Sequence, residues 1–329
     1  MQFTSTQKRE YQRILRRIQR GSASAFAMYQ TPHLFEEPRD SQIKRKRSVG
    51  FFPKIQSVWD DVTAFVSAPR IRRGIHSVWH KGLPIELELS KERSETLLVV
   101  FHGALEHYAV LPLFPGANVT SSLDVARVSL SDPSLYLSPT LPLAWFAGSQ
   151  VQPDLQDVMT RLIEKLLKST GAKRLIFFGS SGGGFASLIQ AVSFPGSVAV
   201  VANAQTDVLR YHEDHVRNYL STAWDNDRDR FVENVEFSAI EAFRKTGNRP
   251  KIVYMQNSTD TFHVNGHLRP FIGQADNTPH IDLLFDDWGI GHVPPPKWLI
   301  HSTLQAVSQD DFAALDRLGF SKASSYKFE

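Results

Sequence analysis

The sequence predicts an α/β fold, a mostly parallel sheet with helices packed on both faces. Three observations carry this. Apolar runs of strand length recur, among them "LLVVF" (97–101), "RLIFF" (174–178), "SVAVVAN" (197–203) and "KIVYMQ" (251–256). Segments with helical spacing separate them, as in a sheet whose crossovers are helices. In "RLIFFGSSGGGFASLIQ" (174–190), a strand runs through a serine pair and four glycines into a helix.

In chain order, residues 6–20 read as a short amphipathic helix. Tyr11, Ile14, Leu15 and Ile18 share one face, Arg13, Arg16, Arg17 and Arg20 surround it, and Gly21 stops it. Residues 21–50 have no clear period and include Lys44-Arg45-Lys46-Arg47, so they read as a loop or linker. A second helix is expected from Pro53, with Ile55, Val58, Trp59, Val62 and Phe65 on one side. "PIELEL" (84–89) alternates, as a strand with one wet face does. "SKERSE" is a turn, and "VARVSL" (125–130) and "HIDLLF" (280–285) are further strands. The clearest helix is 153–169, with Leu155, Val158, Met159, Leu162, Ile163, Leu166 and Leu167 at helical spacing and Gly171 ending it. Residues 204–245, rich in Asp, Arg, His and Tyr, interrupt the alternation and are expected as a polar insertion above the sheet. The helix "PKWLIHSTLQAVS" (296–308) closes the unit. The expected division is a basic helical extension and linker over 1–70 and one α/β domain over 71–329.

Composition narrows the function classes. The 329 residues are 42% hydrophobic and include no cysteine, which removes disulfides, thiolate metal sites and a cysteine nucleophile. The first residues lack an apolar core of the secretory type, and no apolar run reaches membrane-spanning length. A cytoplasmic protein is expected. Residues 1–75 hold 15 Lys and Arg against 6 Asp and Glu, whereas the remainder is net acidic. The basic part is a solvated face or a contact with an anionic membrane or an acidic protein. It has no accompanying nucleic-acid motif, and no nucleic-acid partner is expected.

The glycine turn admits three readings. A phosphate loop needs Lys followed by Ser or Thr after its last glycine, and "GSSGGGFAS" has no lysine. A dinucleotide fingerprint begun at Gly182 would need glycine where Ser187 stands and an acid where Asn203 stands. Gly-x-Ser-x-Gly fits directly as Gly179-Ser180-Ser181-Gly182-Gly183, between a strand and a helix. There a sharp turn presents the serine as a nucleophile, and the helix aims free N–H groups at it. The bland alternative is a packing serine in a glycine turn.

A nucleophilic serine needs an acid and a base, expected later in the chain in that order. Asp260 follows the strand "KIVYMQ", and His292 stands in "GIGHVPPP" after the last long strand. Asp207 is a rival acid, and His263 and His267 are rival bases that come too early. Residues 74–310 therefore resemble the α/β-hydrolase superfamily of serine hydrolases through "GSSGG", "NSTD" with Asp260, "GIGHVPPP" with His292, and "VVFHG" (99–103). More loosely, "FHGALEH", "SDPSLYL" and "GHVPPP" resemble bacterial hydrolases linked to surface glycans, including the O-acetyltransferase-like component of an accessory secretion system. The superfamily resemblance implies backbone oxyanion donors at Gly182 and at Ala104 or Leu105. "FHGALEH" lacks the extra glycines of the lipase-type loop.

The resulting expectation is a serine esterase with Ser181 as nucleophile, His292 as general base and Asp260 orienting it. His102 is expected to brace the oxyanion loop and, with Gln205, to border the substrate. Trp145, Trp288 and Tyr136 would suit a sugar ring. The substrate expected is a small acyl ester of a carbohydrate. The alternatives are acyl transfer to a glycan and a non-catalytic binding protein on the same scaffold. No cofactor and no metal are expected; His212 and His215 could share a helical face but have no evident third ligand.

Overall fold

The structure is a computed structural model that describes residues 41–49, 56–106, 109–246, 250–273 and 281–326. The helix expected over 6–20 lies outside these residues. The described strands are β1 (Gln56–Trp59), β2 (Gly74–His80), β3 (Leu83–Leu89), β4 (Thr96–Phe101), β5 (Ala126–Ser131), β6 (Arg174–Ser180), β7 (Val198–Ala202), β8 (Lys251–Asn257), β9 (Ile281–Asp286) and β10 (Ser321–Lys322). They form one sheet in the order β1-β2-β3-β5-β4-β6-β7-β8-β9-β10. From β5 to β9 neighbouring strands run parallel, while β3 is antiparallel to both β2 and β5.

The parallel strands read as unbroken apolar runs because both sheet faces are covered. Along β4, Leu97, Val99 and Phe101 enter one core, and Leu98 and Val100 enter the other. The first core is closed by the helix α2 (Leu155–Thr170) through Leu155, Val158, Met159, Leu162, Ile163 and Leu166. Gly171 ends that helix in the left-handed conformation. The second core is closed by the final long helix (Lys297–Ser308) through Leu299, Ile300, Leu304 and Val307. The expected insertion contributes three helices, Glu213–Ala223, Arg228–Asn234 and Ala239–Thr246.

Two expectations are corrected near the N-terminus. No helix runs through Val58 and Trp59: Gln56–Trp59 pair in parallel with Ile75–Val78 of β2. The helix here, α1 (Val62–Ser67), begins after Asp61, whose carboxylate accepts Ala64 N–H at 2.7 Å. Val58 and Trp59 are β-branched and aromatic, residue types that favour a strand, and the open edge of β2 pairs them. The second correction is β3, which has no wet face. Glu86 and Glu88 are buried. Arg47 pairs with Glu86 at 2.8 Å, Tyr136 donates its hydroxyl to the same carboxylate, and Arg127 pairs with Glu88 at 3.0 Å. Burial pushes the Glu86 carboxyl up, opposed chiefly by the Arg47 charge.

Residues 43–47, expected as linker, thus cover the sheet. Lys44 and Lys46 are exposed, while Arg45 turns inward and donates to the carbonyls of Ser138 (3.0 Å) and Leu141 (2.5 Å). Among the described residues no helix is long and apolar enough to cross a membrane.

Candidate active site

The elbow is built by close backbone packing. β6 ends at Ser180, and the helix α3 (Gly182–Val192) starts two residues later. Ser181 between them has φ 55° and ψ −121°, a conformation that costs a non-glycine residue about 1–3 kcal/mol and occurs mainly at functional sites. The positions two residues to either side of it, Gly179 and Gly183, must be glycine. A Cβ on Gly183 would lie 2.5 Å from the Phe101 carbonyl oxygen and 2.8 Å from that of His102, and a Cβ on Gly179 would collide with the Gly183 backbone. The glycines let β4, β6 and α3 meet around one serine.

The oxyanion side is the loop after β4. Gly103 lies against the elbow, so that a Cβ there would be 3.6 Å from the Ser181 Cβ. Of the two donors expected in this loop, Leu105 N–H is spent on the Pro142 carbonyl at 2.7 Å. Ala104 is exposed, and its N–H has no backbone partner among the described residues. Gly182 supplies an N–H of the first turn of α3, which has no partner within the helix. His102 has both ring nitrogens occupied by the protein. Nδ1 is 2.7 Å from the Gly103 carbonyl and Nε2 accepts Asp132 N–H at 3.1 Å, so Nδ1 carries the proton. Burial pushes His102 down to about 4, and it braces the loop as a neutral ring with neither nitrogen left for substrate.

The acid and base come from the carboxyl ends of β8 and β9. Asp260 Oδ2 and His292 Nδ1 are 2.6 Å apart. A carboxylate only accepts, so Nδ1 carries the proton and Nε2 is the basic lone pair. His263 packs its ring on His292, centroids 4.1 Å apart and planes at 18°, and its Nδ1 lies 2.9 Å from the same Oδ2. Burial alone would raise the Asp260 carboxyl, but the contacts with His263 and His292 outweigh it and hold the group well below the usual carboxylate range.

The rivals are otherwise engaged. Asp207 caps a turn by accepting Leu209 N–H at 2.9 Å. His267 is buried and accepts Thr206 N–H at 3.2 Å. His292 keeps 42% of its side chain exposed, against 3% for His263. Asp260, His263 and His292 also bring their donor atoms within 4.8 Å of one another. Ligands around a tetrahedral zinc are separated by about 3.3 Å, given bonds of about 2.0 Å. The 2.6 Å separation of His292 Nδ1 from Asp260 Oδ2 is the spacing of a shared proton, while His263 Nδ1, 2.9 Å from the same oxygen, does not point along a hydrogen bond.

Sequence reasoning missed the residues that hold the His292 loop. Asn257 donates Nδ2 to the carbonyls of Gly289 (2.8 Å) and Gly291 (2.6 Å), and accepts Trp288 N–H at 3.0 Å. Thr259 donates to the Gly289 carbonyl and accepts Gly291 N–H at 3.1 Å. Asn203 donates Nδ2 to the Val293 carbonyl at 2.8 Å. The signal was present in "NSTD", where side chains that bond to backbone surround the acid.

Two aromatics expected at a sugar-binding mouth, Tyr136 and Trp145, are core residues. Gln205 is buried at the site itself, donating Nε2 to Ser181 Oγ at 3.0 Å. His212 and His215 flank Tyr211, and His212 stacks on Phe262 with centroids 3.9 Å apart. Tyr211 lies 6.0 Å from His263, so this aromatic cluster borders the acid–base pair.

No family model matches the sequence, and no curated protein matches it by sequence. Solved structures do match in three dimensions. The capsule O-acetyltransferase of Neisseria meningitidis serogroup A aligns with TM-score 0.53 and 14% identity, covering 69% of this chain and 95% of that one. A mutant of the same enzyme, in complex with CoA, aligns with TM-score 0.51 and 12% identity, over the same shares. An acetyl xylan esterase from Paenibacillus sp. R4 aligns with TM-score 0.50 and 12% identity, covering 74% of this chain and 86% of that one. Together with the antiparallel second strand of its core sheet, the crossing of β4 and β5, and the strand–serine–helix turn at the sheet centre, these matches identify the fold of this chain as the α/β-hydrolase fold.

Proposed function

We propose that this protein is a serine esterase that cleaves a small acyl ester of a carbohydrate through an acyl-enzyme on Ser181. The observation that carries the reading is the His292–Asp260 pair, 2.6 Å apart on the loops after β8 and β9, combined with Ser181 held at φ 55° between β6 and α3. In attack, Oγ bonds to the acyl carbon while its proton passes to His292 Nε2. Asp260 keeps the proton on Nδ1 and stabilises the imidazolium. The N–H groups of Gly182 and Ala104 take the negative charge of the tetrahedral oxygen, each worth about 3 kcal/mol in comparable sites. His292 then protonates the leaving alcohol, and water repeats the sequence to release the acid.

A second reading replaces that water with a sugar hydroxyl, making the protein an O-acyltransferase. It is favoured by the likeness to the capsule O-acetyltransferase, whose structure has also been solved with CoA. On that reading the donor is an acyl thioester of CoA.

Labelling with a fluorescent fluorophosphonate tests the shared chemistry. The expected result is labelling of the native protein and none of Ser181→Ala. A folded native protein that does not label would favour a non-catalytic scaffold. Release of acetate from acetyl-CoA only when a glycan acceptor is absent, with transfer when it is present, would select the transferase.

A further inference from the structure

We propose that Gln205 is a further catalytic residue, an amide donor that holds the nucleophilic oxygen and stabilises its charge. The proposal rests on the reading of Ser181 as nucleophile.

The orientation of the Gln205 amide is dictated by its partners. Its backbone N–H donates to the Ser181 carbonyl at 3.2 Å, which registers the residue against the elbow. At the far end, the Trp145 indole N–H donates to Gln205 Oε1. An indole only donates, so the oxygen must face Trp145 and Nε2 must face the serine, where it donates to Oγ at 3.0 Å. Gln205 and Trp145 are both buried, so water does not compete for the indole–amide bond, while the bond to Oγ is half-buried.

The fold maintains this contact at a conformational cost. Trp145 and Phe146 have φ 55° and 54°, uncommon for bulky residues. Asp132 secures the turn by accepting Phe146 N–H at 2.6 Å, and the Tyr219 and Tyr211 rings meet Trp145 edge-on at 5.4 and 5.8 Å. Strain in this segment aims one N–H at Oε1 and so fixes the donor at Ser181.

A serine oxygen has one proton and two lone pairs. With one lone pair taken by Gln205, its proton is the part left to be given to a base. When Oγ attacks, that proton leaves for His292 and negative charge builds on Oγ until its bond to the acyl carbon is complete. When the acyl-enzyme breaks down, the carbon–Oγ bond opens, the electron pair returns to Oγ, and His292 gives back the proton. Gln205 stabilises that charge in both steps.

The test is the rate of fluorophosphonate labelling in native protein, Ser181→Ala, Gln205→Met, Trp145→Phe and the double variant, alongside thermal unfolding. Removing one such donor is expected to slow labelling of Gln205→Met about 10²-fold. Trp145→Phe, which keeps the ring and frees the amide to turn, is expected to slow labelling about 10-fold. The double variant should be no slower than Gln205→Met, because Trp145 acts through Gln205. Folded Gln205→Met that labels at the native rate overturns the proposal, as does a double variant whose losses multiply. If Gln205→Met does not fold, a native rate in folded Trp145→Phe overturns it. Native protein that fails to label contradicts the nucleophile assignment instead.

Discussion

The turn that carries Ser181 and the loop that carries His292 follow the carboxyl ends of parallel strands, yet they are held in opposite ways. The elbow is backbone packed on backbone: Gly183 has no room for a methyl group, and every residue of α3 is buried. The base loop is open, with Ile290 almost fully exposed, and its form depends on side chains reaching out from Asn257, Thr259 and Asn203. A nucleophile must attack from one position, and packing supplies that rigidity. A base that turns from nucleophile to leaving group is better served by hydrogen bonds. Changes in the elbow should therefore remove the fold, and changes in the loop should remove activity from a folded protein.

The largest effect is expected at the acid. Asp260→Asn should lower kcat about 10⁴-fold by favouring the wrong imidazole tautomer, with the circular dichroism of the native protein retained. Next is Gly183→Ala, which forces a Cβ against two carbonyl oxygens and should cost about 3 kcal/mol in urea unfolding, if folded protein is obtained. Asn257→Ala unties the base loop. It should cost about 10²-fold in kcat, the penalty of a misplaced catalytic group, with a smaller shift in the urea midpoint than Gly183→Ala.

Acid should act on stability through the buried histidines. Burial lowers His76 and His102 to about 4 and His267 to about 3. Unfolded histidines take a proton near pH 6.5. Between pH 6.5 and about 4 the unfolded chain thus binds more protons, and stability falls as pH falls. The loss is about 1.4 kcal/mol per pH unit for each histidine and levels off below the folded values. Urea unfolding at pH 7, 6 and 5 measures the slope, and a flat profile would contradict the buried neutral rings.

What was legible in the sequence follows the same division. The elbow could be read because its glycines are needed by contacts among neighbours in the chain, so the spacing is itself the geometry. Asp260 and His292 could be read from order, since each follows a recognisable strand. Glu86 and Glu88 could not, because their partners Arg47 and Arg127 lie 39 residues away and alternation speaks only of the strand itself. Trp145 and Gln205, 60 residues apart, met the same limit: an aromatic expected at a sugar-binding mouth is instead a buried donor to the amide beside Ser181. Local contacts leave a pattern in the sequence, whereas distant pairing leaves only residue types.

Ser181 must carry the acyl group for the rest of the site to act as described. The most direct measurement is to mix the protein with p-nitrophenyl acetate, quench early, digest, and locate the acetyl group by mass spectrometry. The expected result is an acetyl group on Ser181 that disappears at later times and is absent from Ser181→Ala. Release of p-nitrophenol with Ser181 unmodified at every time, or with the acetyl group on another residue, would contradict it.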